Sequence, residues 1–295
     1  MAQKTKKKIS PLVWATWISA ALCLGLVISL AVMIQNNTPS QSNKTPDSTV
    51  PMETEAPTEA PAPEGFVYPE LNLPENPYSE EDFDYVDRYL TCTAGPCMLG
   101  VDVSSWQYDI TWPLVKASGI DFAIIRLGYR GYGKAGKLVA DDYAKANLEG
   151  AKKAGLQVGA YFFSQALSIE EVDEEIAFFM EILGDFPLDM PIVLDWEQIN
   201  AEGSRSLGMD ARTLTDLQLH FCKTMTEKGY QPLIYFNWYQ STRLMYLHEL
   251  EEYPFWLALY QDRMTYPYRV EMWQYTDQGR VPGIEGNVDI NVYMP

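Results

Sequence analysis

Pro191-Ile-Val-Leu-Asp-Trp-Glu197 is an apolar run that closes on two carboxylates. A β-strand alternates its side chains between faces, so Val193, Asp195 and Glu197 share one face while Leu194 and Trp196 share the other. The two acids then have Cα atoms about 6.5–7 Å apart. Confined in a cleft, neighbouring carboxyls push each other's proton affinities apart, so that one stays protonated while the other stays ionised. Cleavage of a glycosidic bond needs such a pair. A surface pair or a helix cap is the blander alternative, and it fits poorly at the end of a strand that is otherwise wholly apolar.

Working outward, short runs rich in β-branched and aromatic residues occur at 98–103, 122–127, 157–163, 191–196, 232–236, 255–260, 270–275 and 287–293. Stretches with helical spacing separate the earlier ones, at 112–117, 141–154, 169–183, 214–228 and, more briefly, 239–250. Such alternation predicts parallel β/α units. The last three runs follow one another too closely for full helices, which predicts an irregular end to a barrel. In a barrel of this kind the chemistry sits at the C-terminal ends of the strands. Asp102 ends the first run, Asp195 and Glu197 end the fourth, and Asp289 falls within the eighth.

Gly100-Val-Asp-Val-Ser-Ser-Trp-Gln107 repeats the pattern, with Asp102 and Ser104 on one face and Trp106 following. Asp102, Asp195, Glu197 and Asp289 occur in this order with Ala160-Tyr-Phe-Phe163, Met272-Trp-Gln-Tyr275 and Asn287-Val-Asp-Ile-Asn291. This set resembles glycoside hydrolase family 25, the Chalaropsis-type lysozymes, from about residue 99 to the C-terminus. The resemblance implies an α/β fold, a flattened TIM-like (β/α)5(β)3 barrel. It also implies hydrolysis of the β-1,4 bond between N-acetylmuramic acid and N-acetylglucosamine in peptidoglycan, with net retention. Glu197 would be the general acid and later activate water. Asp195 would orient the substrate's acetamido group and stabilise its cyclised intermediate; a directly nucleophilic carboxylate stays open. Asp102 and Asp289 would hold the substrate and the charge state of the pair. No cofactor is implied, the catalytic domain is expected to be monomeric, and the partner is the glycan strand.

The second run departs from the family pattern. It reads Ile124-Ile-Arg-Leu-Gly-Tyr129, where many relatives carry a Lys-Ala-Thr type segment. Arg126 therefore has two readings, a cation acting on the cleft carboxylates or a buried structural ion pair. Gly128-Tyr-Arg-Gly-Tyr-Gly133 lacks the Lys-Ser/Thr ending of a phosphate loop and reads as a flexible rim loop. Aromatic rings stack on the apolar faces of sugars, and Tyr161, Phe163, Tyr235, Trp273 and Tyr275, with Arg126, are the expected substrate contacts. Trp238 also falls near a strand end, whereas Trp112 and Trp256 are expected to pack structurally.

Two rivals remain: a chitinase-like glycosidase, and a catalytically inactive wall-binding scaffold. The first wants more acids upstream on the fourth strand, and residues 190–194 supply none. The presence of all four acids argues against the second. A serine hydrolase is disfavoured because no Gly-x-Ser-x-Gly elbow occurs.

The rest of the 295-residue chain sets expectations about placement. Lys4, Lys6, Lys7 and Lys8 form a basic tail (1–8), followed by a charge-free apolar run at 11–34, long enough to cross a hydrocarbon layer of roughly 30 Å. The positive-inside bias then predicts a single-pass anchor (9–34) in the cell membrane, with the N-terminus cytoplasmic and the catalytic domain outside. A cleaved signal peptide ending near Ala31 is the alternative. Residues 35–65 read as a disordered Pro/Thr/Glu-rich linker, 66–97 as an acidic lead-in, and 98–295 as the catalytic domain. A net charge of −18 disfavours nucleic acid. Of four cysteines, Cys23 lies in the apolar run, Cys222 reads as a buried thiol, and Cys92 and Cys97 flank a tight turn suited to a small-loop disulfide. His220 and His248 stand apart, so no metal site is expected.

Overall fold

Strands form wherever apolar residues alternate or cluster in the part of the chain that the computed structural model describes, residues 66–295. In chain order they are β1 (Phe83–Val86), β2 (Tyr89–Cys92), β3 (Met98–Val103), β4 (Phe122–Arg130), β5 (Leu138–Ala140), β6 (Gln157–Ser164), β7 (Ile192–Trp196), β8 (Pro232–Asn237), β9 (Phe255–Ala258), β10 (Met272–Gly279) and β11 (Val288–Tyr293). The helices are α1 (Trp112–Ala117), α2 (Ala144–Lys153), α3 (Ile169–Leu183), α4 (Ala211–Glu227) and α5 (Trp238–Arg243). From β3 through β4, β6, β7, β8 and β9 to β10 every pairing is parallel. β11 then enters antiparallel between β10 and β3 and closes an eight-stranded barrel. Five strand–helix units precede three strands without helices between them, as the spacing predicts.

Local chemistry explains where the helices begin and end. Ser168 accepts a hydrogen bond from the Glu171 N–H at the start of α3, and Glu170 and Glu171 lie in its first turn, where the helix dipole favours negative charge. Val172, Ile176, Phe179 and Leu183 form its buried stripe, and Gly184, at φ +55°, ends it. Asp210 caps α4 through the Thr213 N–H, and Leu214, Leu217, Phe221 and Met225 face the barrel. Cys222 is buried among them, and burial pushes its thiol up, away from reactivity.

Two apolar layers result. Inside the barrel, Phe122, Ile124, Val193, Leu233, Trp256 and Met272 fill its lower part. Outside, Leu194 and Trp196 pack beneath the helices. The parity read from the sequence of β7 is thus the parity observed. Trp112 packs structurally as expected, against Gly150, where any Cβ would meet its indole. Gly128 is not part of a flexible loop. It pairs with Ala140 in the β4–β5 hairpin, and a Cβ there would lie 2.6 Å from the Val139 carbonyl.

The lead-in has a structural task that its acidic composition conceals. With no helix to cover them, the outer faces of β9 and β10 receive the segment 66–97 as a strap. Phe83 packs edge-on against Trp273 with ring centroids 5.1 Å apart, and Tyr68 against Tyr266 at 5.0 Å. The Leu90 N–H donates to the Tyr275 hydroxyl at 3.2 Å, and the Leu71 N–H to that of Tyr268 at 2.8 Å. Leu73, Phe83, Tyr89 and Leu90 are all buried in the outer core.

Two expectations are corrected here. Cys92 and Cys97 are free thiols: the Cys92 side chain turns into the core, while the Cys97 Sγ donates to the Cys92 carbonyl at 3.3 Å and meets the Thr91 hydroxyl at 3.0 Å. The single-pass placement finds no support: among the described residues no helix is long and apolar enough to cross a membrane. The apolar run behind that expectation, like the tail and linker segments within 1–65, lies outside the described residues.

Candidate active site

The C-terminal ends of the strands open on a cleft of about 590 Å³. Asp102 from β3, Arg126 from β4, Tyr161 and Phe163 from β6, Asp195 and Glu197 from β7 and its exit, Tyr235 from β8 and Asp289 from β11 all line it. Chain segments far apart in sequence thus bring all four predicted acids to one place. Register explains part of this: Asp102 and Asp289 lie directly opposite in the β3–β11 pair, and Asp195 lies beside Phe163 in the β6–β7 pair.

Two glutamine amides fix the chain as it leaves β7. Gln240 donates to the Trp196 carbonyl at 2.6 Å, and Gln165 to the Glu197 carbonyl at 2.5 Å. The Trp196 indole donates to the Ala166 carbonyl at 2.9 Å, which locks that side chain to the outside of the barrel. Glu197 is held partly exposed on the cleft wall, while Asp195 is nearly buried.

Asp102 and Asp289 form a coupled pair. The Asp102 Oδ2 accepts from Gln274 at 2.9 Å and from Asn291 at 2.7 Å, and the two carboxyls are hydrogen-bonded to each other. Burial raises both proton affinities, but the amide donors restrain Asp102, whereas the charge of Asp102 adds to the rise at Asp289. The shared proton therefore rests on Asp289, and Asp102 stays the acceptor. Asp277 and Glu197 push Asp289 the same way, which places Glu197 within electrostatic reach of the pair. Tyr161 belongs to the same field: burial lifts its phenol well above 10, against the pull of Arg126 and with the push of Asp102, Asp195 and Asp289. It remains a neutral O–H donor. Asp289 and Tyr161 both open some surface on the cleft, yet the surrounding protein withdraws them from bulk water.

The pair has a measurable signature. Unfolded, Asp289 gives up its proton near pH 3.8; folded, it keeps the proton to far higher pH. Across that window the folded state binds the extra proton, so this residue's contribution to stability falls as pH rises. Asp289→Asn keeps a donor to Asp102 and removes the ionisation. The variant's melting temperature should therefore gain on that of the parent steadily as pH rises from about 4 towards neutrality. A difference that stays flat with pH would sink the assignment of the proton.

Arg126 forms the buried structural ion pair. It is ion-paired with Asp141 at 2.9 Å, almost wholly buried, donates to the Ser105 hydroxyl at 3.1 Å, and still lines the cleft. Asp141 also receives the Ser105 N–H at 2.9 Å and thereby holds the loop that follows β3. Trp273 and Tyr275 do not reach the cleft and are corrected. They face outward beneath the strap, and their neighbour Gln274 faces the cleft instead. Trp256 packs as expected and also floors the cleft, donating to Asn291 at 2.8 Å. Trp238 lies outside it, packed edge-on against Phe66.

Trp106, noted in sequence only as following Asp102 and Ser104, completes the wall with Tyr108, Tyr132, Tyr260 and Gln274, none of them among the expected substrate contacts. Gln274 accepts from the hydroxyls of Tyr235 and Tyr260, each at 3.1 Å, while donating to Asp102. Removing it should cost roughly 1–3 kcal/mol, since buried partners lose their mates. Gln274→Leu should also raise the proton affinity of Asp102 and shift the acidic limb of the pH–rate profile upward. A lower rate with an unmoved limb would refute this role. Among the described residues no group of three or more His, Cys, Asp or Glu side chains could hold a metal ion. His220 pairs with Asp173 at 2.6 Å.

A closed β/α barrel with paired carboxylates at its C-terminal mouth is an architecture that suits glycoside hydrolysis. The sequence profile of glycosyl hydrolases family 25 matches residues 101–284, and the chain belongs to that family. It is 30% identical over 208 residues to YegX, an uncharacterised protein of Escherichia coli K12, a match that covers 66% of this chain and 68% of YegX. It is 29% identical over 216 residues to Lysozyme M1 of Streptomyces globisporus, covering 68% and 70% of the two chains. The modular autolysin LytC of Streptococcus pneumoniae, solved with a synthetic peptidoglycan ligand, shares the fold at a TM-score of 0.57 and 24% identity. That match covers 68% of this chain and about half (48%) of LytC.

Proposed function

We propose that the chain is a peptidoglycan hydrolase that cleaves the β-1,4 bond between N-acetylmuramic acid and N-acetylglucosamine with net retention. The observation that carries this reading is the convergence of Asp102, Asp195, Glu197 and Asp289 in one cleft, the first and last hydrogen-bonded to each other. Likeness to Lysozyme M1 supports the choice of substrate.

In this mechanism Glu197, on the wall and open to the cleft, protonates the leaving oxygen and afterwards takes a proton from water. Asp195, on the same strand face, orients the acetamido group of the substrate, whose oxygen closes on the anomeric carbon. The carboxylate of Asp195 balances the positive charge that develops on that ring. Asp102 and the protonated Asp289 hold a fixed charge of one at the opposite side of the mouth. A second full charge there would work against ionisation of Asp195. Tyr161 supplies a neutral donor, and Phe163 and Tyr235 supply apolar surface. The test is to incubate the protein with purified peptidoglycan and identify new chain ends by mass spectrometry. Muramic acid at the reducing ends is the expected result; glucosaminyl ends, or none, would refute the reading.

A further inference from the structure

Two exposed aromatic rings on the loop after β3 remain without a partner. That loop is firmly built: Ser104 accepts from the Trp106 N–H at 3.2 Å, Gln107 accepts from the Ser104 N–H at 2.9 Å, and Gln107 reaches the Asn287 carbonyl at 3.4 Å. On this rigid base the Trp106 side chain stays 42% exposed and that of Tyr108 62% exposed, both on the cleft wall. Among the described residues neither side chain forms a hydrogen bond or a ring contact.

Tyr108 is also held at φ +49°, ψ −136°, a conformation that suits glycine and strains a residue with a Cβ. An exposed aromatic in a strained backbone stabilises nothing within the protein; such features gather where a ligand binds.

Their position says which ligand. β4 and β6 lie between β3 and β7 in the barrel. Three strand spacings make about 14 Å of arc, farther than one pyranose ring spans. Trp106 and Tyr108 thus border the cleft on the side away from the strand that carries Glu197, where a glycan running on from the cleaved bond would continue. The wall is continuous between the two sides, through Asp102, Arg126 and Tyr161. We propose that Trp106 and Tyr108 form a remote stacking platform for the continuing glycan strand, which makes the enzyme selective for long chains over short ones. This rests on the hydrolase reading above.

The test uses the full chain carrying Glu197→Gln, titrated with peptidoglycan glycan fragments of two and of six sugars. The six-sugar fragment should bind about tenfold tighter or better, and Trp106→Ala combined with Tyr108→Ala should erase most of that advantage. Tyr108→Gly separates binding from folding: it relieves the backbone, so its melting temperature should not fall while six-sugar affinity does. Quenching of Trp106 fluorescence should accompany binding of the long fragment alone. Undiminished length preference in the variants, or a Tyr108→Gly protein that is both less stable and weaker, overturns the platform and leaves the hydrolase reading standing. Equal affinity of the parent for both lengths does the same. A parent that binds neither fragment overturns both.

Discussion

Glu197→Gln should lower the turnover of peptidoglycan about 10²–10⁴-fold, the usual worth of a positioned general acid, with little change in melting temperature. The amide keeps the shape of the carboxyl and loses its proton. Glu197 lies partly exposed on the cleft wall, and its backbone, held by the Gln165 amide, stays in place when the side chain changes. Glycan binding should survive. One secondary effect has a definite sign: Glu197 contributes to the raised proton affinity of Asp289, so its neutralisation should relax that shift slightly. Full activity in the variant would remove Glu197 from the mechanism.

A protein cut to begin at Met98 should lose its cooperative thermal transition. The cut removes Leu73, Phe83, Tyr89 and Leu90 from the outer core and exposes Trp273, one of the largest fully buried side chains. Loss of each large buried side chain costs about 2–5 kcal/mol, and domains are stable by only about 5–15 kcal/mol in total. The family profile begins at residue 101, so a domain boundary drawn from it would discard the strap. Calorimetry of fragments beginning at Phe66 and at Met98 gives the comparison. If the shorter one melted within a few degrees of the longer, the strap would be an ornament.

Much of this architecture was legible in sequence because β7 offers one unambiguous signal, two acids at the end of an apolar strand. Parity there could be read from Asp195 and Glu197 alone. β10 gave no such purchase. In a barrel with a covered exterior both faces of a strand are buried, so hydrophobicity with a period of two does not say which face is inside. Trp273 and Tyr275 were the natural choice for a sugar site, and the wrong one. The signal that decides is Gln274: a buried amide must find polar partners, and the inside of the mouth is where carboxylates and phenols converge. The strap was hidden differently. Its acidic residues point to water while Phe83, Tyr89 and Leu90 point inward, and their partners on β9 and β10 lie too far along the chain for any local pattern to reveal. Asp141 escaped notice because its role depends on the β4–β5 hairpin, which turns it back towards Arg126 and Ser105.

The antiparallel entry of β11 between β10 and β3 joins the last strand of the chain to the first strand of the barrel. A growing chain can lay down the parallel series from β3 to β10, but until β11 arrives the sheet remains open, with two unpaired edges. Closing so long a loop is entropically slow, and open edges invite association with other chains. The same step brings Asp289 to Asp102. No truncated or half-assembled intermediate can therefore hold the proton-sharing pair, and hydrolytic competence should emerge only when the ring is complete.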